Sequence, residues 1–290
     1  MDNKRRFPLV LSSFWLKIIA LLTMTIDHIG YQLPHSTVET VFRIIGRLAL
    51  PLFCFMIAEG AIHTKNFRKY ALRLGIMASA ISIALIGMEY IPGLGSMRNE
   101  GIIFLDLLLG AVAVFCLRQK KWYIKLLAVL PLIYGVLSFI AATLESCGCH
   151  GEILWFPFFM RTQYGWYGVL MIVLFYAAHL ATSLFIKYHS SISGIDVSNY
   201  KDSNFERIVC NVFSILALVI ATIGYFVCYK LLPAKYQVYG FDIQLYALIA
   251  GAFILLYSGL RGYNKKWFQY GSYLYYPIHM LIIYLIFQLL

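Results

Sequence analysis

Three ionisable residues interrupt an apolar stretch near the start of the chain. Residues 15–28 read WLKIIALLTMTIDH, with Lys17, Asp27 and His28 among side chains that suit the middle of a lipid bilayer. A charge at the bilayer centre costs about 2.5 to 3.5 kcal/mol on insertion scales, so such residues usually face a protein interior or a wet cavity. A histidine can take up a proton or act as a nucleophile near neutral pH. This segment is therefore the first candidate for a functional site.

The spacing of these residues indicates which of them can act together. Lys17 and His28 are eleven positions apart, which places them on one helix face about 16 Å apart along the axis. Asp27 diverges from His28 by about 100° around the helix, so it is expected to reach another helix. Its candidate partners are Arg43 and Arg47, which share one face of the next apolar segment. A purely structural buried ion pair is the alternative for Asp27, and snorkelling to the headgroups is the alternative for Lys17.

The composition requires a membrane environment. Of the 290 residues, 61% are hydrophobic and 13% are charged, which is more apolar surface than one globular core can bury. The formal net charge of +11 does not indicate nucleic acid as a partner, because the basic residues fall between apolar runs instead of on one soluble face. The long, continuous apolar runs also disfavour a β-barrel. The predicted partner is the lipid bilayer.

The apolar runs predict an all-α fold, a polytopic membrane bundle of about nine transmembrane helices in a single domain over 1–290. A helix needs about 20 apolar residues to cross a hydrocarbon core of about 30 Å. By this criterion the spans lie near 14–33, 39–62, 71–92, 102–117, 122–143, 166–186, 209–231, 241–260 and 272–289. No small-residue cleavage site follows the basic start of the chain, so the first span is expected to remain uncleaved.

The distribution of basic residues predicts the orientation. With a cytoplasmic N-terminus, 17 basic residues lie inside and only four lie outside, in agreement with the positive-inside rule. The predicted location is a cell inner or plasma membrane. Two longer polar connections are expected, a mobile cytoplasmic loop over 188–208 and an outer loop over 144–165.

Several segments resemble the TraX family, membrane proteins associated with acetylation of conjugative pilin. The resemblance rests on LKIIALLTMTIDHIG, FRIIGRLALPLFCFMIAEGA with RKYALRLG, YGWYGVLMIVLFYAA and YLYYPIHMLIIYLI, in this order from about residue 15 to the C-terminus. The family is similar in turn to the membrane acyltransferases of the type-three class, whose first helix carries a basic residue, ten intervening positions and a histidine. Lys17 and His28 have this spacing, and GRLALPLFCF supplies the arginine, proline and aromatic residues of the next helix.

The resemblance implies transfer of an acetyl group from acetyl-CoA to an acceptor that the sequence does not identify: a pilin-like protein, a glycan or a lipid. His28 would act as base or acyl carrier, Arg47 could stabilise the oxyanion of the tetrahedral intermediate, and Arg47 with Asp27 would set the local charge. Lys17 and a basic cluster, defined as Lys65, Arg68, Lys69 and Arg73, would bind the coenzyme, although simple positive-inside anchoring is an alternative for each member of the cluster. A transporter or membrane assembly scaffold is the alternative function.

Other ionisable residues are weaker candidates. Glu59, Tyr276 and His279 are expected to line the same cavity, with His279 nearer the cytoplasmic side than His28 and therefore in contact with the acyl donor. The alternatives are a structural pair with Arg68 or Lys69 for Glu59, an aromatic belt for Tyr276 and a hydrogen-bonded packing role for His279. Asp106 and His179 receive no role. Cys147, Cys149 and His150 lack a second ligand pair at recognisable spacing, so no metal is expected.

Overall fold

The computed structural model describes residues 9–90, 101–148, 155–202, 204–237 and 242–289. The α-helices over these residues are α1 (Ser13–Gln32), α2 (Thr37–Gly46), α3 (Ala49–His63), α4 (Phe67–Glu89), α5 (Ile103–Leu117), α6 (Trp122–Leu126), α7 (Val129–Ser146), α8 (Trp166–Ser193), α9 (Val197–Asp202), α10 (Phe205–Leu231), α11 (Ala250–Leu255) and α12 (Lys266–Leu289). Short 3-10 helices cover Phe158–Met160, Ala234–Tyr236 and Asp242–Ile249.

The helices confirm a polytopic helical membrane protein. Seven helical segments of the described chain are long and apolar enough to cross a membrane. Two of the nine predicted spans correspond to shorter apolar helices, Ile103–Leu117 and Asp242–Leu255. The first is about 22 Å long at 1.5 Å per residue, which is less than the roughly 30 Å of the hydrocarbon core. The structure contains no membrane, so the orientation stays a prediction; Lys4, Arg5, Arg6 and Arg98, which contributed to it, lie outside the described residues.

Helices α1 and α2 form an antiparallel hairpin in the first of two compact units, which comprises residues 1–52, 177–219 and 246–290. Ser36 accepts a hydrogen bond from the Glu39 amide and so begins α2 with the Ser-x-x-Glu pattern typical of a helix start. Two glycines allow the close approach of the helices. A Cβ at Gly30 would lie 2.7 Å from the Cβ of Phe42, and a Cβ at Gly46 would overlap the Asp27 side chain.

Replacing Gly46 with alanine is expected to destabilise the hairpin. The added methyl group would displace Asp27, and overpacking of this kind costs about 1 to 3 kcal/mol. The measurement is thermal unfolding of the purified protein in detergent micelles. Gly87→Ala in α4 is the matched control, because no atom lies within 4 Å of the position that its Cβ would occupy. Equal losses of stability in the two variants would contradict the proposed close contact.

Helix α12 lies along α1 in the same direction, also within the first unit. Phe14 packs against Phe268 with ring centroids 4.8 Å apart, and Thr25 Oγ1 lies 2.6 Å from the Tyr275 hydroxyl. The N-terminus of α1 is fixed by the chain before α12, where the carbonyls of Leu260 and Arg261 accept hydrogen bonds from the first amides of α1. These contacts set the register of the two helices.

The second predicted span is interrupted between α2 and α3. Arg47 and Leu48 form a turn at this point, and their amides donate hydrogen bonds to the carbonyls three residues earlier. Pro51 explains the break, because proline has no amide hydrogen to donate to the Arg47 carbonyl and its ring collides with that group. This break places Arg47 at the end of α2.

The described residues of the predicted outer loop over 144–165 belong to the second unit, which comprises residues 53–176 and 220–245. Helix α7 continues to Ser146, and the described residues from Trp155 onward are anchored to α5 and α7. Asp106 is fully buried and accepts hydrogen bonds from the amides of Gln163, at 2.7 Å, and Tyr164, at 3.2 Å. Arg161 forms a buried ion pair with Glu145. Asp106 therefore has a structural role, fixing the entry to α8.

The segment 188–208, predicted as a mobile cytoplasmic loop, is largely helical in its described residues. Helix α8 continues to Ser193, α9 covers Val197–Asp202, and α10 begins at Phe205. The Tyr200 hydroxyl holds α9 against the end of α8, because it lies 2.7 Å from His189 Nδ1 and 2.8 Å from Ser193 Oγ. The polar residues of this segment bond to one another. The assignment of the whole chain to one domain stays a prediction.

Candidate functional site

A buried ion cluster joins α1 to α2 in the first unit. Asp27 accepts two hydrogen bonds from Arg47 Nη2, at 2.7 and 2.9 Å, and its Oδ1 lies 3.0 Å from Arg43 Nη1. Asp27 and Arg47 are 8% and 9% exposed. One carboxylate faces two guanidinium groups, so the three side chains carry a net charge of +1. The predicted pairing of Asp27 with this i, i+4 arginine pair is confirmed.

The two arginines differ in which of their N–H groups remain available to donate a hydrogen bond. Arg47 uses Nη2 for both carboxylate oxygens and donates from Nε to the Arg43 carbonyl at 3.1 Å. Arg43 donates from Nη1 to Asp27, and among the described residues no acceptor bonds its Nε or Nη2. Its guanidinium is partly exposed and lies 5.2 Å from the ring centroid of Tyr31. Arg43 is therefore the arginine that can receive an additional anionic group.

His28 forms a direct contact with His279 of α12. Nδ1 of His28 lies 2.7 Å from Nε2 of His279, and Nδ1 of His279 lies 2.8 Å from the Tyr275 carbonyl oxygen. His279 is 5% exposed, whereas His28 is only half-buried. Nε2 of His28 has no hydrogen bond to the part of the chain that the structure describes. Nε2 is therefore the imidazole nitrogen that remains available to accept a proton from a bound molecule.

Aromatic side chains of α12 surround this histidine pair. Tyr275 stacks on His279 with centroids 4.9 Å apart and an interplanar angle of 8°. Tyr276 presents its ring edge-to-face to both imidazoles, at 6.2 Å from His28 and 5.7 Å from His279. Since Pro277 lies inside α12 and lacks an amide hydrogen, it interrupts the helical hydrogen bonding beside these residues. The predicted grouping of Tyr276 and His279 with His28 agrees with this geometry.

The depth predicted for His279 was wrong. The apolar pattern predicted the last span from 272, but α12 begins at Lys266, which adds six residues, about 9 Å, to its start. His279 consequently lies at the level of His28 instead of nearer the cytoplasmic end. The sequence also did not favour Arg43 over Arg47, although their i, i+4 spacing indicated that both could reach Asp27.

The other predicted site residues lie elsewhere. Lys17 lies against α12, with Nζ 5.6 Å from the ring centroid of Phe268. The basic cluster and Glu59 belong to the second unit. Lys65, Arg68 and Lys69 are exposed and Arg73 is half-buried, all within or beside the first two turns of α4. Glu59 is buried, with its carboxylate 3.7 Å from His63 Nδ1.

The histidine and cysteine residues without a predicted role lie outside the two helices of the histidine pair, α1 and α12. His179 Nδ1 lies 3.6 Å from Cys210 Sγ within the first unit. Cys54 Sγ donates to the Gly168 carbonyl within the second unit. Cys147 follows α7, whereas Cys149 and His150 lie outside the described residues.

The fold and this cluster define a multi-pass helical membrane protein with ionisable side chains buried between its helices. Comparison with known proteins gives the family: the model of the TraX family, described as TraX protein, matches residues 12–287, and the chain belongs to this family. No solved structure matches the chain.

Two curated relatives are similar over shorter regions. A probable fimbrial assembly protein FimC, serogroup H1, of Dichelobacter nodosus is 36% identical over 85 residues, which are 28% of this chain and 35% of that protein. An uncharacterized protein of Rickettsia prowazekii (strain Madrid E) is 56% identical over 41 residues, 14% of this chain and 15% of that protein. The chain thus spans about a third or less of the length of these relatives.

Proposed function

We propose that this protein is a membrane acyltransferase that moves an acetyl group from acetyl-CoA to a hydroxyl or amine of an acceptor in or across the membrane. The observation that carries the proposal is the half-buried His28 imidazole, bonded through Nδ1 to His279 and beside a cluster of net charge +1. The association of the TraX family with pilin acetylation supports this reaction, and the similarity to a fimbrial assembly protein of Dichelobacter nodosus supports a pilin-like acceptor.

His28 is the base in this reaction. Its Nε2 accepts the proton of the acceptor hydroxyl or amine, whose oxygen or nitrogen forms the new bond to the thioester carbonyl carbon. The carbon–sulfur bond then breaks, and the same Nε2 returns the proton to the departing thiolate. The acceptor leaves acetylated and the coenzyme leaves as a free thiol, so no other reactant is needed.

Arg43 stabilises the charge that develops on the carbonyl oxygen. Its Nη1 lies 3.5 Å from the backbone carbonyl of Asp27, which is the peptide group that precedes His28. Its remaining N–H groups can donate to an oxyanion, and such donors contribute about 2.7 to 4 kcal/mol to a transition state of this kind. Asp27 and Arg47 hold Arg43 in place. This assignment moves the role that the sequence suggested for Arg47 to its neighbour.

The basic cluster binds the phosphates of the coenzyme. Lys65, Arg68 and Lys69 are exposed at the start of α4, and the Lys69 amide is already capped by the Asn66 side chain. Positive side chains are unfavourable at a helix N-terminus, so helix stability does not account for them. Guanidinium and ammonium groups match the chemistry of phosphate oxygens.

Reversing two charges of the cluster is expected to weaken donor binding. The Arg68→Glu/Lys69→Glu variant should raise the KM for acetyl-CoA by about a hundredfold or more, because each of the two lost charge-assisted hydrogen bonds contributes about 1.5 to 3 kcal/mol. The kcat should change little. Lys120→Glu/Lys121→Glu, the same charge change at the predicted cytoplasmic side, is the control. Equal KM values for the two variants would rule out the cluster as the donor site.

The reaction itself is tested with the purified protein in phospholipid vesicles. Acetyl-CoA labelled in the acetyl group is supplied with pilin-derived peptides, glycans or the vesicle lipids as acceptors. Release of free thiol together with label on one acceptor supports the proposal. The second candidate, a membrane assembly factor, is favoured by the name of the fimbrial relative. Pilin binding without thiol release above the protein-free rate would favour that candidate and reject the acyltransferase.

The protein is proposed to reside in a cell inner or plasma membrane with its N-terminus in the cytoplasm. The basic residues that support this orientation include the exposed Lys65, Arg68 and Lys69 after α3 and Lys120 after α5. Single-cysteine variants at Lys65 and Lys120 are made in a background without the six native cysteines. In intact cells they should not react with a membrane-impermeant thiol reagent, and they should react after the membrane is permeabilised.

A further inference from the structure

We infer that His279 is a positioning residue that keeps the imidazole proton of His28 on Nδ1 and thereby leaves Nε2 as the nitrogen that accepts a proton. The placement of the proton follows from the hydrogen bonds of three groups, Tyr275, His279 and His28. Its use in acyl transfer rests on the proposed function. The proton placement does not.

The chain of hydrogen bonds starts at a group that can only accept. The backbone carbonyl oxygen of Tyr275 lies 2.8 Å from Nδ1 of His279, and a carbonyl has no hydrogen to donate. Nδ1 of His279 must therefore carry a proton. In the neutral imidazole the other nitrogen, Nε2, is then an acceptor.

The second bond transmits this choice to His28. Nε2 of His279 lies 2.7 Å from Nδ1 of His28, and an accepting Nε2 requires that Nδ1 of His28 be the donor. A doubly protonated His279 would reverse the direction, but it would add a buried cation beside Asp27, Arg43 and Arg47, which already have a net charge of +1. The neutral pair is favoured, and His28 keeps a lone pair on Nε2.

The geometry of the two rings suits this bond. The ring centroids are 4.9 Å apart with an interplanar angle of 25°, so the ring planes are nearly parallel, and the 2.7 Å distance between His28 Nδ1 and His279 Nε2 brings the two nitrogens into hydrogen-bond contact. Thr25 and Tyr275 join the same two helices one turn earlier, at 2.6 Å. The edge-to-face ring of Tyr276 limits rotation of both imidazoles. The relative position of α1 and α12 is therefore set at two adjacent contacts.

Two substitutions of His279 separate positioning from structural support. His279→Gln retains a side-chain oxygen that can accept the His28 Nδ1–H bond, whereas His279→Leu offers no acceptor. The readout is nitrogen-15 NMR of protein labelled at histidine in micelles, with the His28 signals identified by their absence from His28→Gln. Wild type and His279→Gln should have Nδ1 of His28 protonated and Nε2 unprotonated. In His279→Leu the proton should redistribute between the two nitrogens.

The kinetic readout follows the same pattern. His279→Leu should lower kcat roughly a hundredfold, at the low end of what a positioned base contributes, with KM for acetyl-CoA unchanged, and His279→Gln should recover most of this loss. Melting temperatures report folding, and the Gln variant keeps the test decisive if the Leu variant does not fold. Protonated Nε2 on His28 in wild type would overturn the inference at any activity. Protonated Nδ1 in a protein that transfers no acetyl group would support the proton placement and reject only the proposed function.

Discussion

Replacing His28 with alanine is expected to abolish acetyl transfer while the protein remains folded. The substitution removes the one nitrogen of the histidine pair that has no hydrogen bond to the described residues, and a positioned general base contributes about 10²- to 10⁴-fold to a rate. Because the side chain is half-buried and its only described hydrogen bond is to His279, the loss of stability should be small compared with the loss of activity. Release of free thiol from acetyl-CoA by protein in vesicles measures the rate.

A second histidine gives the matched control for this experiment. His35 lies in the connection between α1 and α2, and its side chain is 86% exposed. His35→Ala should therefore retain the wild-type rate and melting temperature. A His28→Ala protein that still transfers acetyl groups at the wild-type rate would exclude His28 as the base.

The sequence predicts the fold class and one part of the candidate site, the ion cluster of Asp27, Arg43 and Arg47. The membrane class follows from long apolar runs, because only helices satisfy the backbone of such runs in lipid. The Asp27 ion cluster could be predicted because its arginines share a helix face and the short turn after α1 brings α2 back alongside it. Local spacing and adjacency in the chain were sufficient for these contacts.

The other part of the site depends on long-range register. His28 and His279 are 251 positions apart, and their contact depends on where α12 begins and on how the carbonyls at 260 and 261 hold α1. Hydropathy locates a span only to within several residues, so it cannot determine which side chains of two distant helices lie at one level. The helices of the polar segment 188–208 were not predicted for a related reason, since its composition does not reveal the Tyr200 bonds that hold α9 against α8.

Replacing Asp27 with asparagine is expected to destabilise the protein strongly. The carboxylate is the only acid in the cluster, and its removal raises the net charge of the buried group from +1 to +2. Breaking a buried ion pair on one side costs about 3 to 5 kcal/mol, because the opposite charge remains without compensation. The free energy of unfolding in mixed micelles of increasing denaturing detergent is the measurement. Activity should fall as well, since Arg43 loses the group that positions it.

Two further variants show whether the loss of charge, and not the change in side-chain shape, causes the destabilisation by Asp27→Asn. Asp242→Asn makes the same substitution in an exposed pair with Lys230, where Asp242 is 65% exposed, and should cost less than about 1 kcal/mol. The double variant Asp27→Asn/Arg47→Gln returns the cluster to a net charge of +1 and should be more stable than Asp27→Asn alone. A double variant as unstable as the sum of its single substitutions would mean that Asp27 and Arg47 are not energetically coupled.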